Sequence, residues 1–409
     1  MNANKMISLP ASKSIMNRVL MINSFNLSKP IKIYCSSICD DIWEMIDFKK
    51  ALGYKITMRG EELSIIPPRQ LPQKIKLHIE NSATALRFII CRLAMMDEVE
   101  TYLTVGNQLW TRPHQPLIKI LKSIGARISR FERGFHLVGK YPAGGKFKLD
   151  SSYSSQYVSA LLLNAPLYNR DTFIALENIV STDYVELTRQ IMKDWGIETI
   201  RRNDGYYIPA GQSYLIPSEY RVENDVSSAC YWWALGLILS KTICMDGVSI
   251  YSKQPDIKFL DILAQMGADV HIKEDGISVG RKGELKAVTA NMNRLPDQVP
   301  TLAVLALFAQ GTTKISGIRH LRYKESDRIN ALCVELNKLG AEASYESGVL
   351  SIKQLMEAPI AHTINSHGDH RIAMAFSLLT VRFPYIDVAN KDVVKKSHPE
   401  FFENLENLQ

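Results

Sequence analysis

The sequence predicts an α/β protein of two lobes, built from about six βαβαββ-like repeats, three per lobe. Three observations carry this reading. A period of roughly 72 residues returns along the 409-residue chain. Each period holds an apolar helix opened by a small polar or acidic cluster: Ser12-Lys13-Ser14, Asn81-Ser82-Ala83-Thr84, Ser154-Ser155-Gln156, Asp225-Val226-Ser227-Ser228, Asp297-Gln298 and Asp369-His370-Arg371. A second, amphipathic helix ends on glycine at Gly53, Gly125, Gly196, Gly267 and Gly340.

Each polar cluster reads as an N-cap, because a short side-chain oxygen accepts from the backbone N–H groups that a first helical turn leaves unpaired. Each glycine suits a left-handed C-cap followed by a strand. Stretches rich in β-branched and aromatic residues surround the helices: IKIYC, LSIIP, IKLHI, TYLTV, TFIALEN, TICMDGVSIY, TKISGI and FPYIDVA. The nearly all-apolar helix of a period belongs inside, and the helix with a charged face outside. Chain crossings between lobes are expected at Leu9-Pro10-Ala11 and Arg221-Val222-Glu223, giving one lobe of 13–223 and another of 1–12 plus 224–409. Should the six caps converge, their N–H groups and helix dipoles would form an anion site.

Composition narrows the function. A hydrophobic share of 46% with 22% charged residues is that of a water-soluble globular protein, and the length exceeds one ordinary core. The net charge of +7 is spread without a Lys/Arg block, which favours a small polyanion over nucleic acid. Six cysteines without a CxxC pair argue against disulfides and structural zinc, so a reducing cytoplasm is expected. CYWWALGLIL and YVSALLLNAP are too short to span a bilayer and read as core helices, and MNANKMISLP lacks the apolar core of a signal peptide.

LPASKSIMNR, Leu9 to Arg18, sets Lys13, Ser14 and Arg18 in and just after the first turn of an inner helix. A basic pair and a hydroxyl there suit a phosphate ester, although the glycines of a P-loop are absent. Taken alone, these residues are equally well read as solvated residues on a capped helix. The wider pattern is more specific. LPxSKSxxNR, the acidic turn CDDIWEM, NSATALR, YSSQYVSALL, MNRLPD, RYKESDR and GDHRIAMAFSL follow one another in an order that resembles the 5-enolpyruvylshikimate-3-phosphate synthase family from Leu9 almost to the end.

That resemblance implies a two-lobed inverted α/β barrel of the enolpyruvyl transferase type, with the active site in the interlobe cleft and closure excluding water. It implies transfer of the enolpyruvyl group of phosphoenolpyruvate to the 5-hydroxyl of shikimate 3-phosphate, with no metal or organic cofactor. Asp297 becomes the proton acceptor, Glu325 the donor to the methylene, and Lys13 a contact to both substrates. Shikimate 3-phosphate is assigned Lys13, Ser14, Arg18, Ser154, Ser155, Gln156, Ser181, Asp297, His320 and Lys324, with Tyr184 nearby. Phosphoenolpyruvate is assigned Lys13, Ala83, Arg112, Gln156, Arg328, Arg371 and Lys396. The expected form is a cytoplasmic monomer without nucleic-acid or membrane partners. Read singly, Glu325 and Arg328 make an ordinary i, i+3 pair, Asp297 or Ser154 a plain cap, and His370 a core or capping histidine.

Four departures from the family pattern bear on activity. The segment before Leu9 is short for the strand that commonly opens the family. GNQLWTRP, Gly106 to Pro113, is one residue short, with Gln108 or Leu109 near the place of a customary arginine while Arg112 remains. His320 replaces an asparagine. Ala83 replaces a glycine that leaves room for the herbicide glyphosate, which implies tolerance. The nearest rival, a UDP-N-acetylglucosamine enolpyruvyl transferase, usually presents a reactive cysteine on that loop, and none is present. A noncatalytic paralogue is opposed by Asp297, Glu325 and Lys13, and an RNA-binding relative by the lack of a basic track with stacking aromatics.

Overall fold

The structure is a computed structural model describing residues 7–408. The chain divides into two compact units, Ala11–Val222 and Glu223–Gln409 with the N-terminal residues up to Pro10. In Ala11–Val222 the repeat is written as three four-stranded sheets. Strand Lys74–Ile79 runs parallel to Glu100–Val105, which pairs antiparallel with Gly134–Val138, itself antiparallel to Arg127–Phe131. Gly145–Asp150, Thr172–Glu177, Gly205–Ile208 and Ile200–Arg202 repeat that order and those senses. The remaining sheet joins Glu219–Arg221, Ile31–Tyr34, Glu62–Ile66 and Lys55–Arg59 in the same way. Its parallel first strand comes from the far end of the unit, a long-range pairing with no local sequence signal.

A parallel pair needs a crossover, and two inner helices of this unit each supply one. Helix Ala83–Ala94 links Lys74–Ile79 to Glu100–Val105, and Gln156–Asn164 links Gly145–Asp150 to Thr172–Glu177. These helices are buried on almost every side, so their packing rather than amphipathicity fixes them. Four of the polar clusters cap as their residue types require: Ser12 accepts from the N–H of Ile15 at 3.4 Å, Ser82 from Ala85 at 3.2 Å, Asp225 from Ser228 at 2.7 Å and Asp369 from Arg371 at 2.9 Å. In the Ser154-Ser155-Gln156 cluster the Oγ of Ser154 accepts from the N–H of Gln156 at 3.2 Å. Asp297 lies instead in the 3-10 turn Pro296–Gln298, and its carboxylate is drawn to arginines.

All five closing glycines have positive φ, from 81° to 106°. At Gly196 the requirement is double, since a Cβ there would also stand 2.8 Å from Leu215.

In the other unit, Ile243–Asp246, Gly276–Gly280 and Asp269–Ile272 form a three-stranded sheet, and Thr289–Asn291, Thr312–Ser316, Val349–Lys353 and Ala343–Glu346 a four-stranded one. Its inner helices are Val226–Leu239, Val299–Ala306 and His370–Arg382. Val226–Leu239 is apolar all round and fully buried through Trp232 and Trp233; each such large side chain contributes on the order of 2 kcal/mol or more. The last period keeps its parallel pair, Thr363–Ile364 with Asp387–Val388, and then forms helix Phe401–Glu406, whose Phe401 ring stacks on Trp232 at 5.0 Å. Of TICMDGVSIY only Ile243–Asp246 is strand, because Gly247 turns the chain at φ 68°. The strand expected before Leu9 falls outside the described residues except Ile7 and Ser8, which are irregular. No helix among the described residues is long and apolar enough to cross a membrane.

Candidate active site

In Ala11–Val222 the first inner helix, Lys13–Asn23, presents Lys13 with its Nζ 3.1 Å from Asp41 Oδ2, so the acidic turn supplies a nearly buried counter-ion. Arg18 points inward. Its Nε donates to Thr188 Oγ1 at 2.8 Å, and its two terminal nitrogens donate to the carbonyls of Ser14 at 2.6 Å and Tyr184 at 2.8 Å. Burial pulls its pKa down to about 10, against a smaller opposing pull from Tyr184. Arg18 therefore ties helix Lys13–Asn23 to helix Thr182–Asp194. Ser181, the cap of that second helix, is buried and held at φ 52°, a left-handed conformation that a non-glycine residue adopts only when its surroundings impose it.

A second focus joins two periods. Arg87, on helix Ala83–Ala94, donates to Ser154 Oγ at 3.1 Å, to Gln156 Oε1 and to the carbonyl of Pro113 at 3.2 Å. Gln156 Nε2 donates to Thr84 Oγ1 at 2.8 Å, and the Tyr157 hydroxyl to the Pro113 carbonyl. Ser154 and Gln156 are thus held by one buried guanidinium that sequence reasoning did not place in the site, and Arg112 directly precedes the Pro113 whose carbonyl that guanidinium also binds. The shortened loop folds as the single turn Asn107–Trp110, pinned where Arg130 lies 4.0 Å over the Trp110 ring and Arg133 donates to Asn107 Oδ1 at 2.6 Å. His114 follows, its pKa pushed down to about 3 by burial and by Arg87.

The other unit gathers Asp297, Glu325, Arg328, Arg371 and Lys396 into one network. Arg328 is the hub and is buried. It donates to Asp369 through Nε at 2.8 Å and Nη2 at 3.3 Å, to Glu325 Oε2 at 3.0 Å and to Asp297 Oδ1 at 3.0 Å. Arg371 donates to Asp297 Oδ2 at 3.2 Å and to the Tyr231 hydroxyl at 3.3 Å, and Lys396 Nζ stands 3.9 Å from Glu325 Oε1. Burial alone would lower the Arg328 pKa, but Asp369, Glu325 and Asp297 outweigh it and the net shift is upward. Arg371 is likewise raised: burial opposes, and Tyr231, Asp297 and Asp225 prevail. His320 is buried and pushed down to about 3 by desolvation and by Lys324, so it is a neutral ring near pH 7.

The network differs from a set of cations waiting for an anion. Three cations, Arg328, Arg371 and Lys396, meet three carboxylates, Asp297, Glu325 and Asp369. Asp369 is fully buried, whereas Asp297 retains 22% of its side-chain exposure. The buried carboxylate holds Arg328 in place; the two less buried ones are those to which the family resemblance gave proton transfer. Asp369 was visible in the sequence only as a cap. Among the described residues, no group of three or more His, Cys, Asp or Glu side chains is arranged to hold a metal.

The family model for EPSP synthase (3-phosphoshikimate 1-carboxyvinyltransferase) matches residues 2–405. The chain belongs to the EPSP synthase family. A relative from Salmonella arizonae, named 3-phosphoshikimate 1-carboxyvinyltransferase, is 35% identical over 98% of this chain and 95% of its own length. One of the same name from Hamiltonella defensa is 35% identical with the same coverage. Among solved structures, an EPSP synthase from Acinetobacter baumannii has a TM-score of 0.80 at 21% identity, covering 98% of this chain and 94% of its own. The enolpyruvyl transferase NikO from Streptomyces tendae has a TM-score of 0.73 at 15% identity, covering 100% and 96%. Both share the fold of this member of the EPSP synthase family.

Proposed function

We propose that the chain transfers the enolpyruvyl group of phosphoenolpyruvate to the 5-hydroxyl of shikimate 3-phosphate, releasing phosphate. The observation that carries this, within a family match over residues 2–405, is the pair of carboxylates Asp297 and Glu325 sharing the Arg328 guanidinium. The reaction needs opposite proton movements at neighbouring atoms. Asp297 accepts the hydroxyl proton as the oxygen bonds to C2 of phosphoenolpyruvate, while Glu325 delivers a proton to the C3 methylene. Loss of a C3 proton and departure of phosphate then restore the vinyl ether. Arg328, Arg371 and Lys396 hold the phosphoenolpyruvate anion, and Arg forks suit its planar carboxylate. Lys13, Ser14, Ser154, Ser155 and Gln156 hold shikimate 3-phosphate. Arg18 and Ser181 support that surface from behind, and Ala83 and Arg112 border the phosphoenolpyruvate.

The test is phosphate release: purified protein should liberate phosphate only when both substrates are present. No release from the complete mixture would overturn the proposal.

A further inference from the structure

Asp369 reaches Arg328 from the end of a short segment whose anchorage lies elsewhere. Strand Thr363–Ile364 is fixed by pairing with Asp387–Val388, and helix His370–Arg382 is fixed by burial. Between them the chain turns through two successive left-handed residues, His367 at φ 52° and Gly368 at φ 66°. The first is uncommon for a residue with a side chain, though histidine tolerates it better than most, and a group outside the segment holds it.

Glu335 does so. It lies on helix Arg328–Lys338, two turns beyond Arg328, and its side chain is fully buried. Oε1 accepts from His367 Nε2 at 3.0 Å and Lys338 Nζ at 3.1 Å, while Oε2 accepts from the Asn365 N–H at 3.2 Å and stands 3.4 Å from His362 Nε2. Burial pushes its carboxyl up, but hydrogen bonds from His367, Asn365 and Lys338 outweigh burial and hold it below the usual range. One helix thus grips the segment at both ends, Glu335 at the turn and Arg328 at Asp369.

We infer that Glu335 is a positioning residue for phosphoenolpyruvate: it fixes the turn at 365–368 so that Asp369 holds Arg328 and the N–H of Arg371 in the binding geometry. This rests on the function proposed above, and it adds a carboxylate that touches neither substrate. A small misplacement of a clamping residue is costly. Glu335→Gln keeps the size but removes the charge that His367, His362 and Lys338 share.

The test measures steady-state kinetics of the wild type, Glu335→Gln and His367→Ala, with hydrogen exchange of the free proteins. In Glu335→Gln the KM for phosphoenolpyruvate should rise roughly tenfold while that for shikimate 3-phosphate stays within about twofold, with a smaller, equally selective rise in His367→Ala. Exchange should quicken in peptides spanning 365–371 and not in Ala11–Val222. An unchanged phosphoenolpyruvate KM, or parallel rises in both KM values, overturns the inference. If the wild type itself does not turn over, the reaction assignment fails instead, and exchange decides the anchoring: no quickening at 365–371 in Glu335→Gln refutes it.

Discussion

Replacing Asp369 by asparagine is the sharpest test of the charge network, because the carboxylate is fully buried and each oxygen does two jobs. Oδ1 accepts from the Arg371 N–H at 2.9 Å and Arg328 Nη2 at 3.3 Å; Oδ2 accepts from Arg328 Nε at 2.8 Å and Ser326 Oγ at 3.1 Å. Whichever way the amide is turned, its NH2 faces a donor, either Arg328 Nε or the helix N–H that Asp369 caps. The variant loses at least one charge-assisted hydrogen bond, about 1.5–3 kcal/mol, and leaves a buried donor unsatisfied at about 1–3 kcal/mol more. Arg328 retains Glu325 and Asp297, so its charge is not stranded and a total near 3 kcal/mol is expected. For a unit of roughly 200 residues that corresponds to a fall of about 6–12 °C in its unfolding midpoint. Calorimetry should show this in the transition of the unit holding Asp369, with a raised phosphoenolpyruvate KM. A midpoint within about 2 °C of wild type and an unchanged KM would refute the network's role.

Asp297→Asn and Glu325→Gln should each lower kcat by about a hundredfold or more while moving substrate binding little, measured by turnover and by calorimetric titration; near-normal turnover in both would remove their assigned roles. Arg112→Ala should raise the phosphoenolpyruvate requirement roughly tenfold or more, as expected for loss of one charge-assisted contact of about 1.5 kcal/mol or more; an unchanged KM would leave Arg112 as a buried strut. Ala83→Gly should tighten glyphosate inhibition roughly tenfold at matched phosphoenolpyruvate saturation, since an added methyl in a filled site costs about 1–3 kcal/mol; equal inhibition would defeat the steric argument. His114, His320 and His398 are each held down to about 3 by burial, against about 6.5 when unfolded, so the unfolded chain binds more protons between those values. Stability is therefore full above about pH 6.5 and falls with acidification by up to about 1.4 kcal/mol per pH unit for each ring, which a flat unfolding midpoint from pH 7 to 5 would contradict.

What the sequence made legible was local. A glycine that ends a helix leaves its mark within one turn, and the five closing glycines read from spacing all adopt positive φ. Cap oxygens act over three residues, so Ser12, Ser82, Asp225 and Asp369 were visible. Pairings across long stretches of chain left no such mark. The sheet strand Glu219–Arg221 finds Ile31–Tyr34 only in three dimensions, and its short, mixed composition gave no alternation to read. The same limit governs charge. Asp297 and Asp369 look identical as acidic residues at the start of an apolar helix, yet one caps its helix and grips Arg328 from full burial while the other, partly exposed, bridges two arginines. What distinguishes them is the position of Arg328, 31 and 41 residues further along or back. Arg87 and Glu335 escaped for the opposite reason: each sits in a helix where an arginine or glutamate is unremarked, and only burial turns an ordinary surface charge into a fixed support. A buried charge must be paired or hydrogen-bonded, so the partners it gathers reveal which segments the fold needs to hold still. Here those segments are the loop ending at Pro113 and the turn before Asp369, each adjoining residues that we propose hold phosphoenolpyruvate.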